Sequence, residues 1–441
     1  MTRPILLAGL LLAGAAVAQE KTLPVTAFEG PIATPPLRGP ADVEAATAAY
    51  VAQLPPEATA RSNAYFEGGY WLLLWDALAT VAVSWLLLRA GLSTRMRDLG
   101  ERITRIKFLQ TSIYAAQYFV LATVLQLPLA AYEGFFREHQ YGLSNQGFGQ
   151  WLGDQGKFLV VNLIFGALVV SAIYAVMRKL PRTWAAWGSV VTIAVLALFA
   201  TVVPVFVSPM FNTFKPLPES HLKSRILSLA RANGIPADEV WQFDASKQTR
   251  RMSANVSGMF GTTRISLNDN LLNRGSPEEI ESVLGHEMGH YVLNHSYKFL
   301  FMIGAVILIC FYLMKIGMEI AQRRWGAGLG LRDTTDIAGF PIAIGLITIL
   351  FLLLTPVTNT IIRVQEAEAD MFGLNASRQP DGFARAALHL SEYRKMHPGA
   401  MEELVFFDHP SGWNRIHRSM TWKAEHLKDA DLASQRYESA N

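Results

Sequence analysis

Six apolar segments, roughly 70–92, 111–134, 158–178, 185–208, 298–318 and 338–361, dominate what this chain can become. Each is long enough to cross the ~30 Å hydrocarbon core of a bilayer, which takes about 20 helical residues. Inside hydrocarbon a backbone must satisfy its own polar groups, and at these lengths the helix is the structure that does so. Composition agrees: 51% of residues are hydrophobic, only 17% are charged, and the mean hydropathy is +0.22. The expected fold is a mainly α-helical polytopic membrane protein with about six transmembrane helices, seven if an amino-terminal stretch is also retained. A net charge of +3 gives no reason to expect a nucleic-acid partner. The single cysteine, Cys310, falls in an apolar run and cannot form an intrachain disulfide.

The amino terminus carries Arg3, an apolar stretch from Ile5 to Val17, and Ala16-Val17-Ala18 before Gln19. Basic start, short apolar core and small-residue site read as a secretory signal peptide over 1–18. An uncleaved first transmembrane helix is the rival reading. Residues 19–69 then form a Pro- and Ala-rich extramembrane segment with one short helix near 41–53. Loops 93–110, 179–184 and 319–337 carry clusters of Arg and Lys, whereas loop 135–157 carries only Arg137 and Lys157 against Glu138 and Asp154. Basic loops lie on the cytoplasmic side. Residues 209–297 and 362–441 therefore lie together on the outer face, which in a bacterial inner membrane is the periplasmic side.

On that face stands His286-Glu287-Met288-Gly289-His290. Histidines at i and i+4 share one face of a helix, where two ring nitrogens reach one Zn²⁺ at ~2.0–2.1 Å. Glu287, about 100° round the helix, reaches a water at the metal without ligating it. This is the H-E-x-x-H arrangement of metal-dependent peptide hydrolysis. Ser276-Pro277-Glu278-Glu279 supplies a capping box and Pro at the first helical position. Ile280, Val283, Leu284, Met288 and Val292 follow at helical spacing. Gly289 is a poor helix former, so it marks either a close approach by another backbone or a tolerated weak point.

Two histidines leave a catalytic zinc one protein ligand short, with the fourth position open. Arg363-Val364-Gln365-Glu366-Ala367-Glu368-Ala369-Asp370, just past the last apolar segment, offers the best candidates. Glu366 and Asp370 share a helical face, so one can ligate while the other accepts a hydrogen bond from a ligating imidazole. Glu368 points elsewhere and reads as solvated. His295, five residues after His290, reads as off the metal face and at the membrane border. His409 and Arg415 sit in Asp408-His409-Pro410-Ser411-Gly412-Trp413-Asn414-Arg415, where such groups can stabilise an oxyanion, although spacing alone favours a structural role. Helix is expected near 219–233 and strands at Val240–Phe243 and Arg264–Leu267. Ser253–Gly258 is expected as a strand that either pairs with an extended substrate or is an ordinary hairpin strand.

His286–His290, Arg363–Asp370 and His409-Pro410…Arg415 resemble the three signatures of the type I CAAX prenyl endopeptidases and their HtpX relatives. Phe211–Leu217 and Glu138–Gly142 are similar to further segments of that family. The resemblance covers roughly 70–420. It implies transmembrane helices enclosing a chamber, with a small α+β zinc-peptidase domain at one membrane face. It also implies one zinc per chain held by His286, His290 and Glu366, with Glu287 as general base. Asp370 becomes the orienter of a ligand, His409 and Arg415 lie near the scissile carbonyl, and Asn255 falls in the strand that pairs with substrate. Two departures stand beside it. The eukaryotic members have seven spans and act from the cytosolic side, whereas this chain shows six beyond its signal-like start and a site outside the cytoplasm.

The organisation that follows is a signal peptide or first helix at 1–18 and an extramembrane segment at 19–69. A four-helix membrane region at 70–208 comes next, then a first peptidase part at 209–297. A helix pair at 298–361 and a second peptidase part at 362–441 complete it. The expected function is zinc-dependent cleavage of membrane-associated or lipid-bearing proteins at the edge of the lipid bilayer. Quality-control cleavage of misfolded membrane or envelope proteins is the enzymatic alternative. A chamber or transporter with structural zinc is the non-enzymatic one. The latter predicts charges deep in the spans, where Asp76 and Lys315 are the main candidates, both near the ends of their segments.

Overall fold

The structure, a computed structural model, describes residue 37 and residues 39–257 and 263–426. The amino-terminal stretch at 1–18 lies outside the described residues. Among the described residues, five helices are long and apolar enough to cross a membrane: Pro56–Arg89, Lys107–Gln140, Phe148–Lys179, Trp184–Met210 and His295–Trp325. The first begins at Pro56, well before the apolar segment read from position 70. Its 34 residues span about 51 Å at ~1.5 Å per residue, more than hydrocarbon requires. The surplus turns stand outside the membrane and dock on the carboxy-terminal part. Ser62 donates to the Arg394 carbonyl at 3.0 Å, Tyr70 to Glu402 at 2.8 Å, and Lys395 pairs with Glu67 at 2.6 Å.

The sixth apolar segment is built from two helices and not one. Ile337–Leu353 and Thr355–Ser377 form a broken span, bent by 56°. Pro356, in the first turn of the second helix, has no N–H to return to Leu352, and its ring crowds that carbonyl. The bend matters because the second helix carries Glu366 and Asp370.

Loops 93–110, 179–184 and 319–337 gather at one end of the bundle, as their shared charge requires. Arg97 pairs with Asp336 at 2.6 Å, Arg332 holds both carboxylate oxygens of Glu101 at 2.6 and 2.8 Å, and Lys315 donates to the Arg182 carbonyl at 2.7 Å. Val83, Leu87, Tyr114, Tyr118, Tyr174 and Phe340 belong to the apolar core between the spans. The short helix expected near 41–53 is present at Pro40–Val51. It buries Val43, Ala46 and Tyr50 against Ile416 and Met420 of the Gly412–Glu425 helix.

At the opposite end lies a four-stranded mixed sheet, with β1 (Phe214–Pro216), β2 (Val240–Phe243), β3 (Ala254–Ser257) and β4 (Arg264–Asn268) in the order β1-β2-β4-β3. β2 and β4 are parallel and the outer pairs antiparallel. β1 is the strand that the sequence did not suggest, since a Pro-ended run of three residues carries no alternation. Ile265 and Leu267 of β4 pack with Val240, Ile226 of the His221–Ala232 helix, and Ile280, Leu284 and Met288 of the Pro277–Val292 helix. That helix thus turns its apolar stripe to the sheet and its histidines away from it.

Candidate metal centre

The Pro277–Val292 helix starts as its sequence dictates. Ser276 Oγ accepts from the Glu279 N–H at 3.3 Å, and Glu279 returns a carboxylate oxygen to the Ser276 N–H at 2.8 Å. Its far face lies against the Thr355–Ser377 helix at a separation that only glycine allows. A Cβ on Gly289 would stand 3.1 Å from Ala369 Cα, one on Gly285 3.0 Å from the Gly373 carbonyl oxygen, and one on Gly373 2.7 Å from the His286 backbone nitrogen. Gly289 is therefore a close approach and not a tolerated weak point. Gly373→Ala is expected to destabilise the protein by about 1–3 kcal/mol, the range for overpacking, and to lower its zinc content. Gly399→Ala, where a Cβ meets nothing within 4 Å, is the control. Thermal unfolding with metal analysis checks this, and equal values for the two variants would refute it.

The seam brings three ligand atoms together. His286 Nε2 lies 3.1 Å from His290 Nε2 and 3.1 Å from Glu366 Oε2, and His290 Nε2 lies 3.5 Å from Glu366 Oε1. Two imidazole nitrogens and a carboxylate oxygen converge on one point, an arrangement that a cation between them satisfies when both rings present lone pairs. Tetrahedral bonds of ~2.0–2.1 Å separate ligand atoms by about 3.3 Å, so the triangle has the size that zinc needs. Glu366 Oε2 is also buried without a well-formed hydrogen bond to any described residue. His₂Glu is a donor set of catalytic zinc sites, and the residues present fit the ion.

Glu287 lies beside this triangle. Among the described residues none hydrogen-bonds its carboxylate, and burial pushes it up to about 7 against the pull of His286. Asp370 is fully buried, and its Oδ1 lies 2.8 Å from His286 Nδ1. Arg415 grips the same carboxylate twice, at 2.6 and 3.1 Å, and Arg418 adds a third contact at 2.8 Å. Arg415 is thus held at the cluster through Asp370. His409 also reaches the cluster: its Nε2 stands 3.1 Å from Glu366 Oε2 and its Nδ1 2.9 Å from Asp408. Burial lowers the His409 pKa, with Arg394 adding to the effect.

Asn255 is exposed on β3, paired with Ser266 on one side, and β3 is the outermost strand of the sheet on that edge. Glu368 is half-exposed, yet it is ion-paired with Lys298 at 2.8 Å and is not simply solvated. His295 is buried beside His290, because the helix ends at Val292 and Asn294 takes a left-handed conformation (φ 56°) before the fifth span begins. Sequence reasoning missed Arg418, Gly373 and the contact of His295 with His290. A basic residue one turn after Arg415 was the signal for the first, and Asn at a helix break for the last.

Residues 216–423 match peptidase family M48, and residues 42–213 match a family described as the CAAX prenyl protease N-terminal region with five membrane helices. An uncharacterized metalloprotease of Bacillus subtilis, YhfN, is 28% identical over 348 residues, covering 78% of this chain and 82% of that protein. CAAX prenyl protease 1 of Saccharomyces cerevisiae is 35% identical over 176 residues, 40% of this chain and 39% of the yeast protein. The crystal structure of S. mikatae Ste24p superposes with a TM-score of 0.69 at 23% identity, covering 83% of this chain and 89% of that one.

Proposed function

Because this chain belongs to peptidase family M48, as a membrane metalloprotease related to the CAAX prenyl proteases, we propose that it is a zinc endopeptidase of membrane-associated or lipid-bearing proteins. One observation carries the substrate class. Both ligand-bearing helices run directly into membrane helices: only Leu293 and Asn294 separate Val292 from the start of the fifth span, and Glu366 lies on the outer limb of the broken sixth. Peptide bonds that reach such a site are held close to the bilayer. The basic loops at the other end of the bundle support an outward-facing site, periplasmic in a bacterium.

In this reading His286, His290 and Glu366 hold the ion. Zinc there supplies Lewis acidity that polarises a carbonyl and makes water nucleophilic near neutral pH. Glu287 takes the proton of the attacking water and delivers it to the leaving amine as the C–N bond breaks. Asp370 fixes the His286 ring, and Arg415 with Arg418 fixes Asp370. His409, anchored to Asp408, is assigned to the side of the substrate carbonyl. β3 offers its outer edge, with Asn255 on it, to an extended substrate backbone.

The test uses the full chain in liposomes, an unstructured reporter peptide, and the same peptide bearing a lipid chain. Both are expected to be cut, the lipid-bearing one with the lower KM. A chelator abolishes both activities and one equivalent of zinc restores them. No hydrolysis of either peptide by zinc-replete protein would overturn the reading, and equal KM values would remove its substrate class.

A further inference from the structure

We propose that His295 and Glu368 form a relay that fixes His290 as a metal ligand, a pair of positioning residues whose role rests on the zinc site read above. One requirement sets every proton along it. His290 must offer its Nε2 lone pair towards His286 and Glu366, at 3.1 and 3.5 Å, so its proton sits on Nδ1. That Nδ1 lies 2.9 Å from His295 Nδ1. A donating N–H needs an acceptor, so His295 Nδ1 carries no proton and its Nε2 carries one. His295 Nε2 stands 3.0 Å from Glu368 Oε2 and donates to it. Lys298, donating to the same oxygen at 2.8 Å, holds the charge of that carboxylate. Each proton along the line follows from the first.

The geometry depends on the break at Asn294. In an unbroken helix, position i+5 lies well off the face of position i. The left-handed residue turns the chain so that the His295 ring meets the His290 ring edge to face, with centroids 4.9 Å apart. The His295 side chain is 3% exposed, against 25% for His290 and 44% for Glu368, so the relay runs from the cluster out towards water. The two ligand imidazoles therefore have unlike supports. His286 leans on a buried carboxylate clamped by two arginines, and His290 on a second imidazole that ends at a half-exposed carboxylate. Glu368 is also two residues from Glu366 on the same helix, so the relay ties both ligand-bearing helices together from outside the triangle.

The test measures zinc affinity of the full chain by competition with a chelator of known affinity, in wild type, His295→Phe, Glu368→Gln and the double variant. Loss of an outer partner lowers metal affinity by about 10–100-fold. We expect the lower part of that range for Glu368→Gln and the upper part for His295→Phe. The double variant should be no weaker than His295→Phe, since Glu368 acts through His295. The visible absorption of the cobalt-substituted protein should change in His295→Phe, a signature that a purely structural contact would not move. Glu368 is half-exposed, so Glu368→Gln reads the relay even where His295→Phe folds poorly. Wild-type affinity in Glu368→Gln, or additive losses in the double variant, would overturn the relay while Glu366→Ala still lost its zinc. A wild type without stoichiometric zinc would overturn the metal site itself, and the relay with it.

Discussion

Glu287→Gln is expected to lower kcat by at least ~10²–10⁴-fold, the contribution of a positioned general acid–base, while zinc content stays at the wild-type level. The two effects separate because Glu287 lies beside the ligand triangle and is not part of it. Glutamine keeps the volume and an acceptor oxygen but cannot take a proton from water at neutral pH. The check is single-turnover hydrolysis of the reporter peptide together with metal analysis of the same preparation. Normal turnover would remove Glu287 from the mechanism. Loss of zinc would mean that the carboxylate ligates.

Glu366→Ala is expected to be as inactive, for the opposite reason: its zinc is gone. Two imidazoles remain, but the carboxylate that faces both of them at 3.1 and 3.5 Å is removed. Losing an outer partner weakens metal binding by about 10–100-fold, and losing a direct ligand should exceed that. Metal analysis after dialysis should show about one zinc per wild-type chain and background in the variant. Full retention would place the third ligand elsewhere, with His409, 3.1 Å from Glu366, as the nearest alternative. Zinc content thus separates the two inactive variants.

Features carried by local pattern were legible in the sequence. The capping box at Ser276, the i, i+4 histidines, the strands at Val240 and Arg264 and five of the apolar spans each depend on residues close together in the chain. What escaped depends on partners far apart. Nothing around Arg415 announces that Asp370, 45 residues earlier, will take its guanidinium. Nothing around Gly373 announces that its missing side chain makes room for the backbone of His286. Two details escaped because helices bend and end. Residues 338–361 have the hydropathy of one crossing, yet Pro356 breaks it. His295 was placed by counting along a helix that ends at Val292. Hydrophobic periodicity reports which face is apolar and says little about where a helix bends.

Between His290 and Glu366 the chain crosses the bilayer twice, once through His295–Trp325 and back through the broken span. The ligand triangle therefore closes only after both crossings are inserted, and only if they run in opposite directions. A chain that skipped one of them would leave Glu366 on the far side of the membrane from its histidines, fully synthesised yet unable to hold the ion. On the proposed zinc reading, retention of the ion reports that the last two helices were threaded correctly.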